Sequence, residues 1–115
     1  MNKMFVFLLF ALQLAFAFTP FHEEADCHCP SVANVQKTGS GSGSASWSWT
    51  GSLSATSYEV WYTRRSDGYT SQPVTVTATN TAFSGLSGGA HTFYFKSLCD
   101  GGESQLIGVE DIIEN

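Results

Sequence analysis

The chain has 115 residues, which is enough for one domain and too few for two. Hydrophobic residues make up 43% of it and charged residues 13%, a composition that excludes an intrinsically disordered chain. The formal charge is −5, from 10 acidic and 5 basic residues without a basic cluster. This charge excludes nucleic acid as a partner, because its phosphates are bound by clustered Lys and Arg.

Residues 1–17 have the pattern of a secretory signal peptide. Residues 1–3 are a short basic start, residues 4–18 are almost continuously apolar, and Ala15 and Ala17 are small where signal peptidase reads the chain. We expect cleavage after Ala17 and a secreted protein, located in the periplasm, at the cell surface or outside the cell. The alternative is a retained membrane anchor, although the apolar run is shorter than the ~20 residues that a span usually needs. No other segment could cross a bilayer.

Export affects both the charge and the cysteines. Cleavage removes Lys3, so the mature chain has ten acidic and four basic residues and a formal charge of −6. Cys27 and Cys29 lie near the end of a polar leader, residues 18–29, and Cys99 lies far along the chain. An oxidising compartment favours one disulfide among the three and leaves one thiol over.

Seven short strands are predicted after the leader, because β-branched and aromatic residues alternate with polar ones between turn residues. In chain order they span residues 31–37, 45–50, 58–63, 74–79, 81–86, 91–99 and 103–109. A Gly/Ser run at 38–44 is interpreted as the loop between the first two, and Asp67-Gly68 as a hairpin turn. This spacing predicts one antiparallel sandwich or small barrel over residues 30–109. An acidic tail, residues 110–115, remains to cover the sandwich edge or to fray.

Period-two alternation predicts which side chains face the core. The second, third and sixth strands each have one apolar face, with mostly polar residues on the other. The predicted core residues are Trp47, Trp49, Tyr58, Val60, Tyr62, Leu86, His91, Phe93 and Phe95. The same alternation turns Trp61 and Tyr94 outward.

The order of these features resembles the fibronectin type III family. The resemblance is carried by Trp49 at the end of the second strand, the Tyr-x-Val-x-Tyr pattern at 58–62, Gly85-Leu86 before a glycine turn, and the long alternating sixth strand. It covers residues 30–109. It implies a seven-stranded antiparallel fibronectin type III, or immunoglobulin-like, β-sandwich.

The resemblance also implies a disulfide. Some secreted bacterial members have a Cys-Pro start and a cysteine that ends the sixth strand before a glycine turn, and Cys29-Pro30 and Cys99 are similar to that pair. A Cys29–Cys99 bond is therefore expected. It leaves Cys27 either free or linking two chains.

The chain departs from the family at two places. His91 stands where the family usually has a tyrosine whose hydroxyl bonds to nearby backbone and fixes a corner. We expect His91 to be a buried corner residue that makes this hydrogen bond itself, or else a looser corner. The integrin-binding Arg-Gly-Asp of some animal members is absent, since residues 65–68 read Arg-Ser-Asp-Gly.

No set of residues typical of catalysis is found, so we expect neither an enzyme nor a cofactor. His22, Cys27, His28 and Cys29 are residue types that bind zinc or copper. We prefer a disulfide cysteine beside a spare thiol, because oxidation competes with metal binding, and expect no metal.

The outward pair Trp61 and Tyr94 is the candidate binding site, with Tyr69 or Arg64 at its rim. The third and sixth strands are neighbours in the larger sheet of the family, and exposed aromatic residues are enriched at interaction sites. The alternative is that the two rings only pack on each other or under Ile112-Ile113 of the tail.

The predicted function is that of a secreted, non-catalytic binding or adhesion module for a protein or neutral glycan on a cell surface or matrix. One alternative is an accessory carbohydrate-binding protein that uses the same aromatic residues. Another is a structural or anchoring protein in which Cys27 links two chains.

Overall fold

The computed structural model describes residues 28–115, and every structural statement below concerns that part of the chain. The predicted signal peptide, Cys27 and the leader before it lie outside the described residues. No helix long and apolar enough to cross a membrane occurs between residues 28 and 115.

Two antiparallel sheets make up the described structure. Its strands are β1 (Ala33–Gly41), β2 (Ser44–Thr50), β3 (Ala55–Arg64), β4 (Val74–Val76), β5 (Asn80–Phe83), β6 (Gly89–Cys99), β7 (Gly102–Glu103) and β8 (Ile107–Ile113). One sheet has the order β1-β2-β5, and the other has the order β4-β3-β6 with both β7 and β8 paired to β6. The predicted antiparallel sandwich is confirmed. The eighth strand is the two-residue β7, which the sequence analysis did not separate from the last strand.

Aromatic side chains from both sheets fill the core, as the alternation in the sequence predicted. Trp47 and Trp49 of β2 lie with their ring centroids 5.2 Å from Phe93 and 5.3 Å from Phe95 respectively. Both phenylalanines of β6 are fully buried, and Tyr58 packs on Trp49 at 5.5 Å. Of the nine predicted core residues, eight are buried; Tyr62 is partly buried and packs against the rest.

The Gly/Ser run is strand rather than loop over most of its length, so that prediction is wrong. β1 continues to Gly41, which pairs with Ser44, and leaves only a two-residue turn. The turn is held by tertiary hydrogen bonds: Gly43 N–H donates to the carbonyl of Glu114, and its own carbonyl accepts from Leu86 N–H, both at 2.9 Å. Gly43 has φ 69°, and a Cβ there would lie 2.8 Å from the Leu86 carbonyl oxygen. The glycine is required by the turn and by this close approach.

The last strand begins and ends later than predicted. β8 runs from Ile107 to Ile113 and pairs with β6 along its whole length, so most of the predicted tail belongs to the sheet. Ile113 is buried in the core, and Asp111 forms an ion pair of 2.6 Å with Lys37 of the other sheet. Asp111 can therefore occupy an inward position of β8, because Lys37 on the other sheet compensates its charge.

Two shorter strands also end earlier than predicted. β4 stops at Val76 rather than at residue 79, and β5 stops at Phe83 rather than at residue 86. Leu86 lies in the following loop but is still buried in the core.

Gly51, just after β2, is the position where an added methyl group should harm the fold most directly. A Cβ at this position would overlap the hydroxyl of the buried Tyr58 and would lie 2.8 Å from its Cζ atom. We expect Gly51→Ala to lower the free energy of unfolding by about 1–3 kcal/mol, the usual cost of overpacking. Urea unfolding followed by tryptophan fluorescence measures this.

The matched control is Gly102→Ala, because a Cβ there meets nothing within 4 Å and the backbone φ is ordinary. Its stability should change by less than about 0.5 kcal/mol. Equal effects of the two substitutions would contradict the close approach of Gly51 to Tyr58.

Candidate aromatic binding face

Trp61 and Tyr94 lie directly opposite each other on β3 and β6. Their inward neighbours Val60 and Phe95 are fully buried, so the pair points away from the core. The two rings are stacked, with centroids 5.4 Å apart and planes inclined by 24°. Both side chains remain partly exposed. The predicted outward pair is thus formed, and we call the outer surface of β3, β6 and β8 around it the aromatic face.

A three-residue charge cluster borders the pair in the next row of the sheet. Glu59 lies opposite Lys96, whose Nζ is 3.3 Å from a carboxylate oxygen of Glu59 and 3.3 Å from one of Glu103. The same Nζ lies 5.7 Å from the ring centroid of Trp61, within cation–π range. Burial of the Lys96 ammonium by itself lowers its pKa. The hydrogen bonds to Glu103 and Glu59 together outweigh this effect, so the pKa of Lys96 lies above its ordinary value.

The strand β8 does not cover the aromatic pair. The residue opposite Tyr94 on β8 is Gly108, and a Cβ there would lie 3.4 Å from the Tyr94 ring. Ile112, which the sequence analysis considered as a cover, lies two rows away opposite Ala90 and is 71% exposed. Within residues 28–115, the predicted tail therefore does not cover the pair. The two rings do pack on each other, as the alternative expected, but both remain partly exposed.

Tyr69 and Arg64 do not form the rim of this face, which corrects the sequence analysis. Arg64 has the inward orientation of Tyr62, because residues two apart in a strand share a side. Its guanidinium lies 4.8 Å from the centroid of Tyr69, and Tyr69 in turn lies 6.2 Å from Tyr62. These residues form a second aromatic cluster at the end of β3, on the other side of the sheet from Trp61.

The turn that carries this second cluster is held by Asp67. The Arg64 guanidinium donates two hydrogen bonds to the Asp67 carboxylate, at 2.9 and 2.7 Å, and Tyr69 N–H donates a third at 3.1 Å. These hydrogen bonds lower the pKa of Asp67 to about 2, and the bond from Arg64 contributes more than the bond from Tyr69. Gly68 has φ 74°, as the predicted Asp-Gly turn requires.

His91 makes the corner hydrogen bond that the sequence analysis expected of it. It is fully buried, and its Nδ1–H donates to the carbonyl oxygen of Gly89 at 2.9 Å. Its ring also contacts Tyr62 and stacks on Phe93, at centroid distances of 5.6 and 6.0 Å. A histidine at this position thus makes the corner hydrogen bond within β6 itself.

The expected disulfide is present. Cys29 and Cys99 are bonded, with their Cα atoms 5.9 Å apart, and the bond joins the segment before β1 to the end of β6. Since Cys29 has no free thiolate, it cannot serve in the metal site considered above; His22 and Cys27 lie outside the described residues. No group of three or more candidate metal ligands occurs between residues 28 and 115.

The sequence analysis missed the Lys96 cluster and Gly108. The Lys96 cluster could have been found, because Glu59 and Lys96 are at the outward positions next to Trp61 and Tyr94. Gly108 was assigned to the correct strand, but its place opposite Tyr94 depends on a pairing that the sequence does not state.

Neither a protein-family model nor a curated protein matches the chain. Solved structures do match. The fn3 domain of the human collagen alpha-1(XX) chain has a TM-score of 0.68 at 19% identity, covering 76% of this chain and 88% of that one. A Fn3-like protein from Clostridium thermocellum has a TM-score of 0.58 at 22% identity, covering 73% and 90%. A structure described as a myokine has a TM-score of 0.67 at 13% identity, covering 76% and 100%.

The chain therefore has the fibronectin type III fold, as the resemblance in its sequence implied. Domains with this fold are commonly binding or structural modules and are generally not catalytic. The fold by itself does not assign a ligand, because one fold can carry many different sites.

Asp67 gives a direct test of the turn that holds Arg64 and Tyr69. Its folded-state pKa lies below the ordinary 3.8, so its contribution to stability is complete above about pH 4 and is lost as the pH falls through about 2. An NMR titration of the Asp67 carboxyl carbon should have its midpoint near 2. In Arg64→Gln, which removes the guanidinium whose hydrogen bonds lower the Asp67 pKa most, the midpoint should rise. A midpoint near 3.8 in the unmodified protein would contradict the bidentate pair.

Proposed function

We propose that this protein is a secreted, non-catalytic binding module that engages a partner protein through the aromatic face. The observation that carries the proposal is the Trp61–Tyr94 pair, stacked, partly exposed and left uncovered by β8. The export pattern of residues 1–17 and the expected oxidation of the cysteines support a secreted location, with the partner on a cell surface or matrix.

The surroundings of the pair support a protein–protein contact. Ile112, at an outward position of β8, is 71% exposed, and Leu106, just before β8, is 44% exposed, so apolar groups are accessible at both ends of this strand. Thr63 and Thr92 lie opposite each other in the row next to the pair and give it a polar border. An aromatic centre with a polar border is the usual composition of a protein interface.

The geometry of the rings favours a protein partner over a sugar. Sugar rings stack on a free aromatic face, whereas Trp61 and Tyr94 turn faces toward each other and Lys96 lies near the Trp61 ring. One face of each ring is therefore covered by the other ring. Carbohydrate binding is therefore the second candidate, retained because both rings are partly exposed.

Charge restricts the class of partner further. All four Lys and Arg residues between positions 28 and 115 lie in ion pairs with Asp or Glu, and the mature chain carries a formal charge of −6. A strongly anionic partner would meet repulsion and few available cations. A neutral or basic protein surface fits better.

The Cys29–Cys99 bond supports one structural alternative. It uses two of the three cysteines and leaves Cys27 for a bond between chains. A dimer on a non-reducing gel that disappears in Cys27→Ser would favour an anchoring role.

The proposal predicts that Trp61→Ala weakens binding while the domain stays folded. Truncating a central aromatic residue of an interface should cost more than about 1 kcal/mol, or roughly fivefold in affinity. Its stability loss should be well below that of Trp49→Ala, for which filling of the core predicts about 3–5 kcal/mol. The mature protein serves as bait for cell-surface proteins, the captured protein is identified, and both variants are compared by calorimetry and urea unfolding.

Tyr69→Ala is the matched control, because it removes an exposed aromatic ring from the other side of the sheet. It should bind the captured protein as the unmodified protein does. Unchanged binding of Trp61→Ala would place the site elsewhere. If the mature protein binds to a glycan array and Trp61→Ala does not, the partner is a sugar and not a protein.

A further inference from the structure

The strand β8 exposes an unpaired backbone edge. In an antiparallel pair, alternate residues direct their N–H and C=O groups to the same neighbour. Arg65 N–H donates to the carbonyl of Ala90, so Ala90 and the residues two apart from it on β6 face β3. The intervening residues of β6, from Gly89 to Phe95, face β8 and pair with Ile113, Asp111, Val109 and Ile107. The backbone groups of Gly108, Glu110 and Ile112 therefore point away from the sheet.

An independent hydrogen bond agrees with this assignment. Glu114, the next residue in the outward series, accepts a hydrogen bond from Gly43 N–H of the β1–β2 turn. That contact closes the edge at its C-terminal end. No other backbone hydrogen bond from outside the β6 pairing reaches β8 in the described part of the chain.

The remaining edges of the two sheets are protected in ways that β8 is not. β1 has two register shifts against β2 and a residue with positive φ, Asn34. β4 has three residues and follows Pro73, and β5 has four residues. Short, irregular or proline-flanked edges resist the addition of a further strand. β8 pairs regularly over seven residues, so it is the long regular edge of the described structure.

A groove of about 370 Å³ lies at the C-terminal end of this edge, between the two sheets. One wall is formed by Lys37, Ser40 and Gly41 of β1, and the other by Ile112, Ile113 and Glu114. An extended segment laid along β8 would direct alternate side chains to the aromatic face side and to the opposite side, where the groove could take one of them near Ile112.

Charge determines what that segment should be. Residues 107–115 contain Glu110, Asp111 and Glu114 and no Lys or Arg. Antiparallel pairing of β8 with a second copy would bring like charges together in each central register. With the twofold axis at residue 110 or 111, Glu110 or Asp111 would lie opposite its own copy. With the axis at residue 112, Glu110 would lie opposite Glu114. Like charges directly opposite each other destabilise a strand pair. The acidic edge therefore disfavours self-association and favours a basic strand.

We propose that β8 binds an extended basic segment of a partner protein, which adds to the sheet as a further strand. Gly108, Glu110 and Ile112 supply the backbone hydrogen bonds. The carboxylate of Glu110, whose side chain is 72% exposed despite its ion pair with Arg65, and that of Glu114 just beyond the strand select Lys or Arg side chains. Asp111 instead faces inward and is paired with Lys37. This edge adjoins the aromatic face at Gly108 and Ile112, but its backbone groups do not belong to the Trp61–Tyr94 pair, and the proposal does not depend on the function proposed for that pair.

The test uses the full mature chain and a short synthetic peptide in which valine alternates with lysine. Backbone amide exchange and chemical shifts are recorded with and without the peptide. The proposal predicts slower exchange at the amides of Gly108, Glu110 and Ile112, with Tyr69→Ala behaving like the unmodified protein. The same peptide with glutamate in place of lysine, or with N-methylated alternate amides, should not protect these amides.

Ile112→Pro removes one outward N–H without touching the bonds to β6, and should weaken peptide binding by about tenfold. Ile112→Thr is its control, because it shortens the same side chain and keeps the N–H. Circular dichroism verifies that both variants fold. Absence of protection, equal binding of the glutamate peptide, or a dimer that protects the same amides without peptide would each overturn the proposal.

Discussion

The pairing of β3 with β6 is the constraint on which both the core and the aromatic face depend. Nine pairs connect these strands, from Ala55 opposite Cys99 to Arg64 opposite His91. Because side chains alternate, one register places Val60 and Phe95 inside and Trp61 and Tyr94 outside. A slip of one strand by one residue would bring buried and exposed groups into the same row. The packed core thus determines which aromatic residues are exposed on the outer surface of the sheet.

Three tertiary contacts hold the edges of the sandwich around this central pair. The Cys29–Cys99 bond closes a loop with a sequence separation of 70, worth about 4 kcal/mol in the chain-entropy model. The Gly43–Glu114 hydrogen bond joins the first hairpin to the end of β8, and the Lys37–Asp111 ion pair joins β1 to β8. The groove between β1 and β8 lies between the last two contacts, which join its two walls.

Much of this fold could be predicted from the sequence, and the reason is local. Alternation identified β2, β3 and β6, since each carries apolar residues at every second position with polar residues between. The disulfide and the corner histidine followed from resemblance and position. The errors arose where long-range contacts decide the structure: the Gly/Ser run forms a strand because β2 pairs with it, and Asp111 is accepted on the inward side because Lys37 lies opposite. The rim of the site was misplaced for a local reason: Arg64 is three residues from Trp61 in β3, and alternation puts residues an odd number apart on opposite sides of the sheet.

The most direct test of the account is the β3–β6 register, measured by nuclear Overhauser effects between Hα protons. The hydrogen bond from Arg65 N–H to the Ala90 carbonyl makes Val60–Phe95 and Tyr62–Phe93 non-hydrogen-bonded pairs, whose Cα atoms approach to about 4.5 Å. The account predicts strong Hα–Hα effects for these two pairs. Strong effects from Val60 to Tyr94 or Lys96 instead would contradict it, because the strands would then be out of register and Trp61 would no longer lie opposite Tyr94.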